Sequence, residues 1–482
     1  MAASPSSPPT HDKEYRMSAA VSTPTSASST KGPRASLSLA QGLVVGMTLF
    51  SMFFGAGNLI LPPLLGAQAG SDSVAATAGF LIAGIGLPLM GVIATALAGN
   101  LTRLGSRVHP KFAAVFAILV YLSIGPCLAI PRTSSTSFEM FVPLLPEGAS
   151  LPVVRAVFSV AFFAVATFLA MKPGKISRLL GRITGPALVI LIVLVVGAAL
   201  FAPRPEATAA VAPYDSAPAV QGFLTGYQTM DLLASLTFGI VIAQNIRQMG
   251  VTSAGGVTRE IAKAGLVMGV LMALVYCGLT FVGVAMGPEM PGVTNGASVL
   301  TASAGAHFGL AGTIIVAAIF LLACLNVCTG LISCCASYFA DTFKRVPYAA
   351  WAIGFAAFSC LVSNLGLDAI LAFSVPLLGA LYPPAIVLVL MGMAHRLLDR
   401  FALAWPLAVG AAAVVSVIGA LRDAFAPTLW TPLDALPLAE MGMGLVVPTL
   451  VCLAVGVLLS RGRHVHAPEE PEPAEASTEP QA

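Results

Sequence analysis

The sequence predicts an all-α polytopic membrane protein of 12 transmembrane helices, in which two inverted five-helix repeats carry discontinuous helices 1 and 6. Three observations predict it. The 482 residues are 57% hydrophobic and only 9% charged, whereas a soluble domain is about 25% charged. Apolar runs of about 20 residues, the length a bilayer demands, recur along the chain. Two of them, the first and the sixth, are interrupted near mid-depth by small and polar residues.

Residues 1–36 are rich in Ser, Thr, Pro and Ala without hydrophobic periodicity. They read as a disordered cytoplasmic tail rather than a signal peptide. The first repeat, 37–202, holds spans at 39–66, 74–99, 112–131, 153–171 and 183–202. The second, 203–392, holds 220–245, 261–286, 310–340, 347–364 and 367–392. Helices 11 and 12 follow within 393–460, at 402–420 and 441–460, and 461–482 is a disordered acidic cytoplasmic tail.

Positive loops stay in the cytoplasm, and of the 24 Lys and Arg only Arg132, Arg155, Arg204 and Arg422 fall in odd-numbered loops. The other 20 lie in the tails and even loops, so both termini are expected in the cytoplasm. A missed span would scramble this alternation from that point onward.

The first span contains TLFSMFFGAGNLILPP, Thr48 to Pro63, with Gly55, Gly57 and Asn58 at its middle. Such residues are poor helix formers, so the helix unwinds here. Backbone groups bared in hydrocarbon cost several kcal/mol each unless something satisfies them; the break is therefore a candidate ligand site. The half-helix starting near Asn58 points about half a positive charge at it, suited to a carboxylate. Carbonyls around Ser51 to Phe54 suit a cation. The competing reading is a packing glycine pair, common in membrane helices.

The sixth span, Gly226 to Arg247, repeats the anomaly, with Ser235, Thr237 and Gly239 interrupting an apolar run and Asp231 upstream. Five helices separate the two breaks, so they cross in opposite directions and support each other as a pair meeting at the midplane. Asp231 is the one acid well inside a predicted span. It is either a carboxylate capping a half-helix in a wet vestibule or a cation ligand or coupling acid. In the eighth span Ala323, Asn326, Gly330 and Ser333 share one face, with Thr329 adjacent. That stripe either packs closely or offers oxygens to a hard cation.

The eight cysteines sit in apolar segments as small hydrophobes, and the six histidines lack metal-ligand spacing. No cofactor, nucleic acid, protein partner or resident metal is expected. An enzyme would need a nucleophile and base or a metal cluster at membrane depth, which the chain lacks; a channel is the other alternative and would more naturally show a continuous polar lining or a ring of charge.

Several stretches together resemble the bacterial branched-chain amino acid:cation symporter family of the amino acid, polyamine and cation superfamily. They are Phe53 to Gly70, Tyr121 to Met140, Gly226 to Ile242, Ala323 to Phe339, Val362 to Leu367 and Leu381 to Pro384. The resemblance implies a LeuT-type fold and sodium-coupled uptake of leucine, isoleucine and valine by alternating access, with proton coupling the alternative. It places the substrate's polar groups at Gly55, Ala56, Gly57 and Asn58 and at Thr237, Phe238 and Gly239, its side chain on Phe53 and Phe238. A cation is placed at Ser51, Phe54, Ala323 and Asn326. Where relatives of this fold carry adjacent hydroxyls this chain has Asn326 and Val327, leaving Thr329, Ser333 or proton transfer through Asp231 to compensate.

Overall fold

The computed structural model describes residues 35–171, 179–201, 206–426, 428–429 and 431–460. Nearly all of the acidic carboxyl-terminal tail and of the amino-terminal tail expected from the sequence lie outside the described residues. Among those described, eight helices are long and apolar enough to cross a membrane, nine when one bent pair counts as a single span. Three shorter apolar helices accompany them.

α1 (Leu39–Phe53) starts at a capping box, Ser38 Oγ accepting from the Gln41 amide and Gln41 Oε1 accepting from the Ser38 amide. It stops at Phe54, whose ψ of 94° is extended, and the chain restarts as α2 (Ala56–Ala69). The break expected in the first span is present. At Gly70, φ is +45° and an added Cβ would lie 2.1 Å from the Thr208 carbonyl oxygen. Only glycine fits this turn into α3 (Ser73–Leu81), which continues through a π turn into α4 (Leu87–Ala98).

The third span is longer than the sequence predicts. α5 (Pro110–Leu122) reaches a π turn holding Pro126, where Gly125 leaves helical geometry at ψ −125°, and α6 (Ala129–Phe141) carries on beyond it. Arg132 therefore lies not in an extracellular loop but in the first turn of α6, 7% exposed. The run Arg132 to Ser137 is too polar to read as a span, but protein rather than lipid surrounds it: Thr133 to Ser137 are all buried.

The helices then follow as α7 (Leu151–Ala170), α8 (Gly185–Phe201), α9 (Pro218–Tyr227), α10 (Asp231–Gln248), α11 (Ala254–Met286), α12 (Gly296–Phe308), α13 (Leu310–Thr342), α14 (Tyr348–Ser363), α15 (Leu367–Met393), α16 (Ala404–Phe425) and α17 (Val446–Leu459). α9 and α10 are the bent pair, meeting at 47°. α2 packs along α11, α9 along α3, and α13 against α6.

Two of these crossings are built alike. A Cβ on Gly66 of α2 would meet the Thr280 carbonyl oxygen at 2.1 Å, and one on Gly283 of α11 would meet that of Pro63 at 2.0 Å. Likewise Gly222 of α9 faces the Ala76 oxygen and Gly79 of α3 the Ala219 oxygen, each at 1.8 Å. Backbone presses on backbone, and no rotamer relieves the contact. Gly79→Ala or Gly283→Ala is therefore expected to lower stability by about 1–3 kcal/mol or more. Thermal unfolding of the detergent-solubilised protein checks this, with Gly410→Ala as control because a Cβ there meets nothing within 4 Å.

Candidate functional site

The two broken helices face a shared cavity. Its walls include Phe53, Gly55, Ala56, Gly57 and Asn58 from the first break, Thr229, Met230, Asp231 and Ala234 from the second, Ile124, Ala129, Arg132 and Thr133 beside the α5–α6 kink, and Val327 and Leu331 of α13. The space open to water-sized molecules is about 40 Å³, room for about three waters.

α2 opens on the cavity with its amino end. The first amides of a helix have no carbonyl partner within it, and here they belong to a half-helix starting in the protein interior. Asn58, third in the half-helix, turns its Oδ1 back to accept from the Gly55 amide at 2.9 Å, the reciprocal half of a capping box. Its Nδ2 donates to Asp231 Oδ2 at 2.6 Å and to Tyr276 Oη at 2.5 Å. Tyr276 Oη in turn donates to Asp231 Oδ2 at 3.4 Å. One buried amide thus ties both breaks to α11.

The second break is not where the sequence placed it. Helix geometry fails at Gln228 to Met230, Met230 taking a left-handed φ of 69°. Asp231 opens α10, where the helix dipole favours an acid, and the Thr229 hydroxyl accepts from its amide at 3.4 Å. The break expected around Ser235 to Gly239 is corrected accordingly: Thr237, Phe238 and Gly239 lie about two turns inside α10, which runs unbroken from Asp231 to Gln248, and off the wall of this cavity. The small size of Gly239 serves packing, since a Cβ there would sit 2.7 Å from Thr95 Oγ1. Thr237 Oγ1 donates to the Ala234 carbonyl, and the residue borders a separate cavity of about 290 Å³ with Tyr121, Tyr338 and Asp341. Phe238 reaches the site indirectly, edge-on to Phe53 with centroids 5.0 Å apart.

The expected cation residues are all buried but only partly gathered. Ser51 Oγ donates to the Leu180 carbonyl at 3.1 Å. The Phe54 ring stacks on Phe50 and Tyr276. Thr329 Oγ1 donates to the Leu325 carbonyl, whereas Asn326 Nδ2 has no partner among the described residues. Ala323, Asn326, Thr329 and Ser333 are not among the cavity-lining residues; Val327 of α13 packs against the first break, its Cγ2 3.0 Å from a Cβ built on Gly55.

Among the site residues that sequence reasoning missed, which include Thr229, Met230 and Tyr276, Arg132 is the cationic one. Its Nη1 donates to the Gln228 carbonyl at 3.0 Å, at the end of α9, and Nη2 lies 3.0 Å from a Cβ built on Gly57. The signal was an arginine in a serine- and threonine-rich run directly after a Gly-Pro kink, a combination that also suits a loop.

Residues 38–463 match the family model described as branched-chain amino acid transport protein. The chain is 38% identical to the branched-chain amino acid transport system 2 carrier protein of Pseudomonas aeruginosa, over 87% of this chain and 96% of that one. It is 35% identical to the branched-chain amino acid permease BraB of Bacillus subtilis, over 88% and 96%. Among solved structures it resembles Mhp1, a nucleobase-cation-symport-1 family transporter, with a TM-score of 0.55 at 16% identity over 87% of this chain and 92% of that one. That likeness establishes a LeuT-like fold, and the named relatives are carriers and permeases rather than enzymes. With a family model matched from Ser38 almost to the carboxyl terminus and relatives aligned over nearly their whole length, the chain belongs to the branched-chain amino acid transport protein family.

Proposed function

We propose that this protein is a secondary active transporter that carries leucine, isoleucine and valine into a bacterial cell by cation-coupled symport with alternating access. The observation that carries it is the pair of interrupted helices meeting across one shared cavity, in a chain of this family. The substrate carboxylate faces the amides of Ala56 and Gly57, and its ammonium faces the carbonyls of the second break and Asp231. Phe53, Ile124, Ala129, Val327 and Leu331 take the branched side chain. One methylene in an apolar pocket discriminates only about 10- to 200-fold, so mixed uptake of the three is expected. Admitting a leucine requires the walls to part, and alternating access supplies that movement.

The fold is read as 12 spans with two inverted repeats of five. The matching glycine crossings support this: α2 on α11 and α9 on α3 are the same pair of contacts, first helix on seventh and sixth on second. Both termini are placed in the cytoplasm of a multi-pass inner-membrane protein. With Arg132 withdrawn from the loops, the asymmetry of the remaining positive charges supports that orientation.

A zwitterion gains nothing from membrane potential alone, whereas one co-transported charge supplies about 2.3 kcal/mol per 100 mV. That is about 45-fold accumulation before any ion gradient is added. Sodium is the first reading of the coupling ion. Proton coupling is the second, favoured by Val327 at the first break, which offers no oxygen, and by Asp231 in the centre of the site. Proteoliposomes decide between them: leucine should accumulate against its gradient when sodium is supplied outside. Equal uptake in sodium-free buffer that collapses when the proton gradient is dissipated makes protons the driver. No accumulation under either gradient defeats the transporter reading.

A further inference from the structure

We infer that Arg132 is the residue that binds the substrate's α-carboxylate, making this site selective for amino acids with a free carboxyl group. The inference rests on the transport reading and deepens it.

A buried arginine is costly unless an anion or several acceptors compensate it. Arg132 is 7% exposed, and no carboxylate lies within 4.0 Å of its guanidinium among the described residues. Its one hydrogen bond among them is Nη1 to the Gln228 carbonyl. Among the same residues Nε is buried without a partner, and Nη2 lies beside Gly57, which with Arg132 lines the cavity. Nε and Nη2 form the edge of the guanidinium whose two parallel N–H bonds match a carboxylate. The edge left vacant is therefore the carboxylate-binding one.

Its surroundings agree. The same cavity receives the amino end of α2, a 14-residue helix, whose dipole favours an anion at the same spot. Gly57 lets the guanidinium approach that end closely. Asp231, which lines the same cavity and is held by Asn58, offers carboxyl oxygens to an ammonium. The site thus presents a cationic donor and a carboxyl acceptor, the two groups that the ends of a zwitterion need. Nη1 is also bonded to the end of α9, so the arginine that takes the carboxylate touches the second broken helix and couples its occupancy to both breaks.

The test compares leucine with leucinamide, which keeps the side chain and ammonium but lacks the carboxylate. Binding to the full-length protein in detergent is measured by competition against radiolabelled leucine and by calorimetry. In the wild type, leucinamide should bind about 10- to 100-fold more weakly than leucine, the range for a lost charge-assisted hydrogen bond. In Arg132→Gln, leucine should weaken by a similar factor while leucinamide hardly changes, so that their ratio falls towards one. A purely structural arginine would weaken both ligands together, and that result overturns the assignment. So does wild-type leucinamide competing within about twofold of leucine, a readout that needs no variant to fold. Leucine uptake by the wild type with unchanged affinity in Arg132→Gln would refute the assignment and leave the transport reading standing; no leucine binding by the wild type would defeat both.

Discussion

Replacing Gly57 by valine is expected to abolish leucine binding, by more than about 100-fold, while the protein still inserts and stays monodisperse. A Cβ at this position would lie 3.0 Å from Arg132 Nη2, 3.2 Å from Thr229 Cα and 3.4 Å from the Gln228 carbonyl oxygen. The arginine tip can swing aside, but the Thr229 and Gln228 contacts are backbone of the second break and cannot yield without moving α9. Valine adds two further methyls at Cβ, which must project either into those atoms or into a cavity with space for about three waters. Overpacking of this kind typically costs 1–3 kcal/mol in stability, and the lost space is the substrate's own. Equilibrium binding of radiolabelled leucine, alongside size-exclusion profiles of both proteins, checks it. Unchanged affinity would remove the first break from the binding site.

Asn58→Leu is expected to have the other large effect, on binding and stability together. The substitution is nearly isosteric, so its cost comes from polar groups left behind. The Gly55 amide loses its acceptor, and the Asp231 carboxylate and Tyr276 hydroxyl each lose the donor that Asn58 supplied. All lie in the protein interior, where an unsatisfied polar group costs about 1–3 kcal/mol and a charged one more. A loss of about 3–6 kcal/mol follows, with leucine binding lost because the two breaks are no longer tied across the cavity. Melting temperature and leucine affinity, measured on Asn58→Leu and on the gentler Asn58→Ser, separate the parts: serine keeps a short polar group and should recover stability before it recovers binding. A leucine variant as stable as the wild type would show that this network contributes nothing to the junction.

The two breaks differ in how readable they are. At Gly55 to Asn58 the local chemistry suffices, because two glycines and an asparagine resist helix whatever surrounds them, and the helix does unwind there. At the sixth span the same reasoning selects Ser235 to Gly239 and is misled. Small residues both weaken helices and permit close packing, and here packing is their role: a Cβ on Gly91 of α4 would lie 1.9 Å from Ser235 Oγ. The true break falls at Gln228 to Met230, where a methionine holds a left-handed conformation that its own propensity disfavours. Only the surrounding structure imposes that.

Arg132 shows the same limit from the side of charge. A positive residue after an apolar run reads as the end of a span, because the sequence does not say whether lipid, water or protein will surround it.

What the sequence by itself determined is the membrane character of the chain, the interruption of its first helix, and the importance of Asn58 and Asp231 as polar groups set among apolar ones. These follow from hydrophobicity and backbone propensity, which are local. Tertiary structure alone decided that Asn58 meets residues 173 and 218 positions away, that the sixth helix bends at Met230, and that an arginine is buried at the cavity. Those outcomes depend on which polar groups converge where water is excluded, and convergence belongs to the packing of helices rather than to any one of them.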